Sequence, residues 1–359
     1  MDEEPQRSSP SQQPVREKYD ALLLVAFGGP ERPEDVLPFL EHVTRSRRVP
    51  RDRLLQVAEH YRHFGGVSPL NEQVRELMVA VRRELDAHGI GLPIYWGNRN
   101  WHPFLADTVR RMKEEGIRRA LAFVLSAYSS YSGCRQYLDA LAAAREAGGP
   151  EAPAIDKIRV FYNHPDFIEA NADRLRDAIR RLPPDARDRL QVAFTAHSLP
   201  QDMADASNYR LQVEETARLT AEAVGVPADR WELVFQSRSG RPTDPWLEPD
   251  ITDHLRRLAR RGVRHVVLAP IGFLSDHLEV SYDLDHEAGA LCQQLGLAMV
   301  RSGTVGTHPA FVRMIRALIE ERISGAEKKA IGRFGPHHDV CPPDCCPASG
   351  VARRPPAVS

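Results

Sequence analysis

The chain has 359 residues, of which 48 are Lys or Arg and 49 Asp or Glu, and its formal net charge is −1. That length is enough for two domains with sizeable cores, and the balanced charge, with no basic stripe interleaved with aromatics, argues against a nucleic-acid partner. No apolar run approaches the roughly 20 residues that span a bilayer, so no integral membrane segment is expected.

Residues 1–18 are acidic and polar where a secretory signal would be basic and then apolar, and read as a disordered leader on a cytoplasmic chain. In that reducing compartment the five cysteines are not expected to be a disulfide set. From Tyr19 an apolar strand runs into Gly28-Gly29-Pro30 and an acidic helix start at Glu31. The turn lacks G-x-G-x-x-G spacing, so a nucleotide site is the weaker reading; its glycines would let any flat or bulky ligand approach the backbone. The segment around 61–70 reads as a turn before a long helix starting near Asn71, where Ser68 could be only a cap. Strands follow over 93–97 and 120–125, separated by a helix ending at Gly116.

The alternation then restarts. Strands are expected over 158–161, 190–195, 232–236 and 263–269, interleaved with helices over 166–181, 209–224 and 251–261, and a last helix spans 309–323. Repeated strand–helix units predict an α/β protein of two similar halves, each a parallel sheet covered on both faces, with a cleft between them.

The stretch from Pro270 to Glu287 carries the strongest chemical signal. Glu279, Asp283 and Glu287 recur every fourth residue, which at about 100° per residue places them on one helical face. Like charges at this spacing are mildly destabilising, and no Lys or Arg lies between Ser275 and Glu287 to relieve them. The row is either a solvated acidic helix or a cation-handling surface; the partly apolar His277-Leu278-Glu279-Val280 favours the cation. His197 follows another buried strand. A lone His is more often structural than a ligand, but a second strand-end loop with His277 and Glu279 shifts the balance toward a first-row divalent ion such as Fe²⁺ or Zn²⁺. With only two such ligands, coordination would be open and weak, as a metal awaiting transfer requires.

The segments AFGGP, GGVSPL, GNRNWHPF, AHSLP, FQSR followed by PW, and PIGFLSDHLEVSYDLD occur in an order and spacing that resembles the ferrochelatases, which insert Fe²⁺ into a porphyrin. The likeness covers about residues 19–323 and is closest to the actinobacterial, coproporphyrin III-using branch. It implies two Rossmann-like domains in the chelatase arrangement, residues 19–157 with 305–325 and residues 158–304, followed by a cysteine-containing tail from 326 to 359. It also implies a porphyrin cleft, with His197 and Glu279 as the catalytic and iron-site pair and Asp283 and Glu287 continuing an acidic path on a helix widened by π-type turns. Ser68, Tyr137 and Phe27 fall at porphyrin-contacting positions, and His60, Tyr61 and Arg45 near the propionates. Phe27 is a departure, because Firmicute members place a Tyr there and an axial Tyr contact to the product iron is absent. The substrate implied is coproporphyrin III, with protoporphyrin IX or a non-catalytic tetrapyrrole or metal carrier as alternatives; a monomer is expected. The porphyrin nitrogens lie within a flat ring, so the walls are expected to bend it.

Cys134, Cys341, Cys345 and Cys346 could bind zinc or do nothing in common. The resemblance implies a [2Fe–2S] cluster held by one internal and three C-terminal cysteines, although the C-x₃-C-C spacing differs among members. Cys292, in an apolar run, reads as a buried bystander.

Overall fold

The computed structural model describes residues 18–45, 49–239, 241 and 243–348; residues 1–17 of the expected leader and 349–359 of the expected tail lie outside them. The first sheet contains β1 (Ala21–Ala26), β2 (Ile94–Asn98), β3 (Arg119–Val124) and β4 (Ala154–Lys157) in the order β2-β1-β3-β4. The second contains β5 (Gln191–His197), β6 (Trp231–Gln236), β7 (His265–Ala269) and β8 (Ala298–Arg301) in the order β6-β5-β7-β8. All neighbours are parallel, so one topology occurs twice, as the repeated strand–helix pattern predicts. Every residue of β1 is buried, because a central parallel strand is covered on both faces.

In the first half the helices are α1 (Val36–Val43), α2 (Arg51–His63), α3 (Leu70–Ala87), α4 (Leu105–Glu114) and α5 (Gln136–Gly148). Next come α6 (Pro165–Arg180), α7 (Gln201–Asp205), α8 (Tyr209–Val224) and α9 (Ile251–Arg260). The short α10 (Leu278–Val280) opens into a π-helix, Ser281–Ala288, and then α11 (Gly289–Leu295); α12 (Pro309–Ile323) closes the regular structure. The largest apolar core joins the two sheets: Leu22, Leu24 and Phe123 of the first meet Phe194 and Val267 of the second around Phe167 of α6 and Phe311 of α12. Burying each Leu or Phe contributes about 1.5–3 kcal/mol, so the halves are held face to face by a shared interior.

Three expectations shift. The strand expected at 158–161 lies at Ala154–Lys157, where it pairs with β3 as the edge of the first sheet. Ile158, Val160 and Phe161 are buried without a ladder, because apolar character signals burial rather than strand. The apolar run around Cys292 divides into α11 and the edge strand β8, and the turn expected at 61–70 begins inside α2.

Candidate active site

β5 and β7 are neighbours, paired from Gln191↔Val266 to Phe194↔Ala269, and their C-terminal loops emerge side by side. In open α/β sheets the crevice beyond such strand ends is where ligands bind. The loops touch at Gly272, whose N–H donates to the Thr195 carbonyl at 3.0 Å. A Cβ on Gly272 would lie 2.6 Å from Ala196 Cα, so only glycine lets the turn after β7 sit against the residue preceding His197.

His197 Nε2 lies 3.7 Å from Glu279 Oε1, with the side chains 33% and 48% exposed, so solvent reaches the pair. His197 Nδ1–H donates to the Ser198 carbonyl. That bond leaves Nε2 as the nitrogen that faces Glu279, which favours a proton taken up there. The buried Tyr209 hydroxyl donates to the His197 carbonyl at 2.9 Å. Glu279 is steadied from two sides: its N–H donates to His277 Nδ1 at 3.1 Å, and its carbonyl accepts from Gln236 Nε2 at 3.1 Å.

Burial disfavours the charged form of His197, but the Glu279 carboxylate outweighs it and raises the imidazole above its ordinary value. Burial likewise opposes ionisation of Glu279, yet His197 and then His277 hold it down to about 2. The next acid behaves oppositely. Burial, reinforced by the charges of Glu279 and Glu287 and opposed by a hydrogen bond from Ser237, lifts Asp283 to about 7. Glu287 is also raised, chiefly by burial. Glu279 of α10 and the acids of the π-helix that follows therefore interact as a row, the first ionised and the next titrating near neutrality.

The first half supplies the facing wall. Phe27, 36% exposed, meets Phe39 edge-on at 6.3 Å, and Phe39 packs in turn on Tyr61 and Trp101. Burial, with the charge of Glu279 behind it, pushes the Tyr61 phenol up, so the field of the carboxylate reaches that ring. His60 stacks flat on Tyr282 of the π-helix, at 3.9 Å and 8°. Ser68 is buried against Gly29. Tyr137 is 5% exposed and lies beneath Arg99, whose guanidinium is 5.1 Å from it and 5.2 Å from Phe27. Arg45 is exposed just beyond α1, its Nη1 donating to the His42 carbonyl at 2.8 Å. Phe27, His60 and Tyr61 are thus linked by ring contacts or charge to the Glu279 segment, whereas Tyr137 sits behind Arg99. Sequence reasoning gave no role to Tyr209, Gln236, Tyr282 or Arg99, although Arg99, Gln236 and Tyr282 lie inside GNRNWHPF, FQSR and PIGFLSDHLEVSYDLD.

The tail cysteines gather around Cys134, which a π-turn at Tyr131–Arg135 presents. Cys341 pushes the Cys134 thiol up, the Cys341 and Cys345 sulfurs lie within 4.8 Å of each other, and the Cys345 and Cys346 sulfurs are 3.6 Å apart. The tail is pinned on the way. Arg333 donates its backbone N–H and Nε to Glu215, each at 2.7 Å, and Asn163 Nδ2 donates to the Phe334 carbonyl at 2.8 Å. Gly332, with φ +86°, has no room for a Cβ, which would lie 2.3 Å from Glu215 Oε1. His338 also comes within 4.8 Å of Cys341 and Cys345 through its ligand atoms. Cys292 is apart, 1% exposed in the core of the second half.

Twin parallel sheets whose strand-end loops bring an imidazole and a carboxylate together, continued by an acidic row, define a chelatase-type protein. The fold is shared with SirB from Bacillus subtilis solved with Fe³⁺, at a TM-score of 0.51 and 13% identity over 86% of this chain and 97% of that one. The Ferrochelatase family model matches residues 19–323. A ferrochelatase of Rhodopirellula baltica is 52% identical over 95% of this chain and 96% of its own length. A coproporphyrin III ferrochelatase of Streptomyces coelicolor is 50% identical over the same shares of the two chains. The chain belongs to the ferrochelatase family. Among the described residues no helix is long and apolar enough to cross a membrane.

Proposed function

We propose that the chain inserts Fe²⁺ into coproporphyrin III with release of two pyrrole protons, using His197 and Glu279 as its working pair. The observation that carries this is the 3.7 Å approach of His197 Nε2 to Glu279 in a solvent-reached gap, with Nδ1 tied back to a carbonyl. The substrate follows from relatives about half identical over nearly the whole chain that are named coproporphyrin III ferrochelatases.

Neutral His197 presents Nε2 to a pyrrole N–H and accepts its proton; Glu279, ionised well below neutrality, then stabilises the imidazolium and offers an oxygen to Fe²⁺. Asp283 and Glu287 extend from there as a carboxylate path, and Asp283, titrating near 7, can take up and pass on a proton at neutral pH. Phe27, His60 and Tyr61 form the opposite wall against the macrocycle and its propionates, with Ser68 beneath; Arg45 serves the propionates from the rim, and Tyr137 acts through Arg99.

Cys134, Cys341, Cys345 and Cys346 suit a [2Fe–2S] cluster: Cys341, Cys345 and Cys346 are close neighbours, Cys341 pushes the Cys134 thiol up, and all four are free thiols. Such a cluster supplies one-electron redox chemistry when bound, and insertion needs no electron. A cytoplasmic monomer is the form we infer, since all five cysteines are free thiols, as a reducing compartment favours, and one chain supplies both walls.

The test is iron insertion with coproporphyrin III and protoporphyrin IX, in wild type and His197→Ala, with porphyrin binding followed by fluorescence quenching. Coproporphyrin III should be the better substrate, and the variant should bind it without metallating it. Near-normal turnover by His197→Ala would remove the base assignment, binding without turnover by wild type would mark a carrier, and a preference for cobalt a different chelatase.

A further inference from the structure

His338 stands beside the tail cysteines, and neither the insertion chemistry nor a four-thiolate cluster uses it. One ligand atom each from His338, Cys341 and Cys345 lies within 4.8 Å of the other two. Around a tetrahedral zinc ion, with Zn–S near 2.3 Å and Zn–N near 2.0 Å, such donors stand about 3.6–3.8 Å apart. Shifts of about 1 Å at most therefore close the set on one ion. An ion can reach it, because His338 is exposed and the two cysteines are half-buried. In the chain the donors follow one another at short gaps, His338-x₂-Cys341-x₃-Cys345, of the size that structural zinc loops use.

The body of the protein holds this loop in place. On one side of His338, Asp339 pairs with Lys328. On the other, Ser129 Oγ–H donates to His337 Nε2 at 3.3 Å, and His337 Nδ1–H donates to the His338 carbonyl at 3.1 Å. Ser129 is itself fixed by two hydrogen bonds with Gln212 of α8. Between the cysteines, Arg135 Nη1 donates to the Pro343 carbonyl at 2.9 Å. The Cys345 N–H donates to the Pro342 carbonyl at 3.0 Å, a turn that brings Cys345 back to Cys341 and that two prolines stiffen. A loop so anchored is largely pre-formed, which lowers the ordering cost of binding.

We propose that His338, Cys341 and Cys345 form a site for one thiophilic divalent ion, zinc by preference, which fills when the four cysteines carry no cluster. Thiolate and imidazole donors together suit Zn²⁺. Water, or the Cys346 sulfur 3.6 Å from that of Cys345, takes the fourth place. Binding releases the two thiol protons to solvent. The ion and the cluster draw on the same two sulfurs, so the tail holds one or the other: Cys134 serves only the cluster and His338 only the ion. The inference goes beyond the cluster reading and does not depend on it.

The experiment uses the full chain, reduced and stripped by a chelator. It is titrated without oxygen, first with Co²⁺ and then with Zn²⁺ against a chromophoric chelator. Wild type should take one ion with thiolate-to-cobalt charge-transfer absorption, which an ion at His197 and Glu279, with only nitrogen and oxygen to offer, does not produce. His338→Ala, at an exposed position where the fold tolerates change, should weaken this site at least about tenfold. Reconstituted with iron and sulfide, it should still take up as much acid-labile sulfide as wild type. Cys134→Ser should do the reverse, keeping the cobalt spectrum and losing the cluster. Zinc loaded beforehand should lower sulfide uptake by wild type, and undiminished uptake would refute the shared use of the two sulfurs. Absent charge-transfer absorption, wild-type affinity in His338→Ala, or loss of the cobalt spectrum in Cys134→Ser would overturn the ion site. A wild type that binds zinc at His338 but never takes up sulfide would overturn the cluster reading and leave the ion site standing.

Discussion

Asp283→Asn is the most searching test of the electrostatics at the site. Lifting this carboxyl from 3.8 to about 7 means the native chain prefers it protonated, whereas the unfolded chain ionises it near 3.8. At about 1.4 kcal/mol per pH unit the native state is penalised by about 4 kcal/mol above pH 7, and partial exposure reduces the expected value to about 2 kcal/mol. Because the folded pKa is the higher one, wild-type stability falls as pH rises from 3.8 to about 7 and levels off above that. Asparagine keeps an acceptor for Ser237 and cannot ionise. The variant should therefore match wild type near pH 3, gain steadily through the window, and be about 2 kcal/mol more stable at pH 8 by urea unfolding. In wild type the Fe²⁺ KM should improve between pH 6 and 8, where Asp283 goes from about one-tenth to about nine-tenths ionised, and the variant should lack that improvement. Equal midpoints at pH 8, or an advantage independent of pH, would refute the reasoning that burial and the neighbouring acids hold this proton.

Three other outcomes follow from the same contacts. In Glu279→Gln the charge that raises His197 is gone while burial remains, so NMR titration should find the imidazole pKa below that of wild type; an unchanged or higher value would contradict the pairing. Gly272→Ala forces a Cβ to within 2.6 Å of Ala196 Cα, and a displacement near 1 Å beside His197 should lower kcat by about 10²-fold with porphyrin affinity little changed. Full activity would show that the loops have slack. Glu321→Ala strands Arg159, whose side chain is 0% exposed, and should lower unfolding free energy by about 3–5 kcal/mol. Because Arg159 also holds the Lys329 carbonyl, the tail should become more open to protease; a loss below about 1 kcal/mol would mean that water enters the pair.

Most of the sheet framework was legible because parallel strands buried on both faces read as apolar runs, as ALLLVA of β1 does. The same rule misplaced β4, since Ile158, Val160 and Phe161 are as apolar as a strand yet serve the core as irregular chain. The edge strand β8 was hidden because an edge is only half covered and its pattern merges with that of α11. At the site, His197, Glu279 and the acidic row stood out by motif and spacing. The contacts that support them did not: Tyr209 reaches His197 from a helix with no such signature, and Gln236, inside FQSR, reaches Glu279 across 43 residues of chain.

By itself the sequence determined which segments must be buried, the repeated strand–helix order, and which side chains could meet a metal, since these depend on composition and short-range period. Only the tertiary structure decided that Asp283 would titrate near 7, that Arg159 would be buried against Glu321, and that Arg333 would find Glu215 from 118 residues away. The reason is physical: solvation and Coulomb interactions depend on distance through space, and chain spacing does not encode that distance until the two sheets close on their common core.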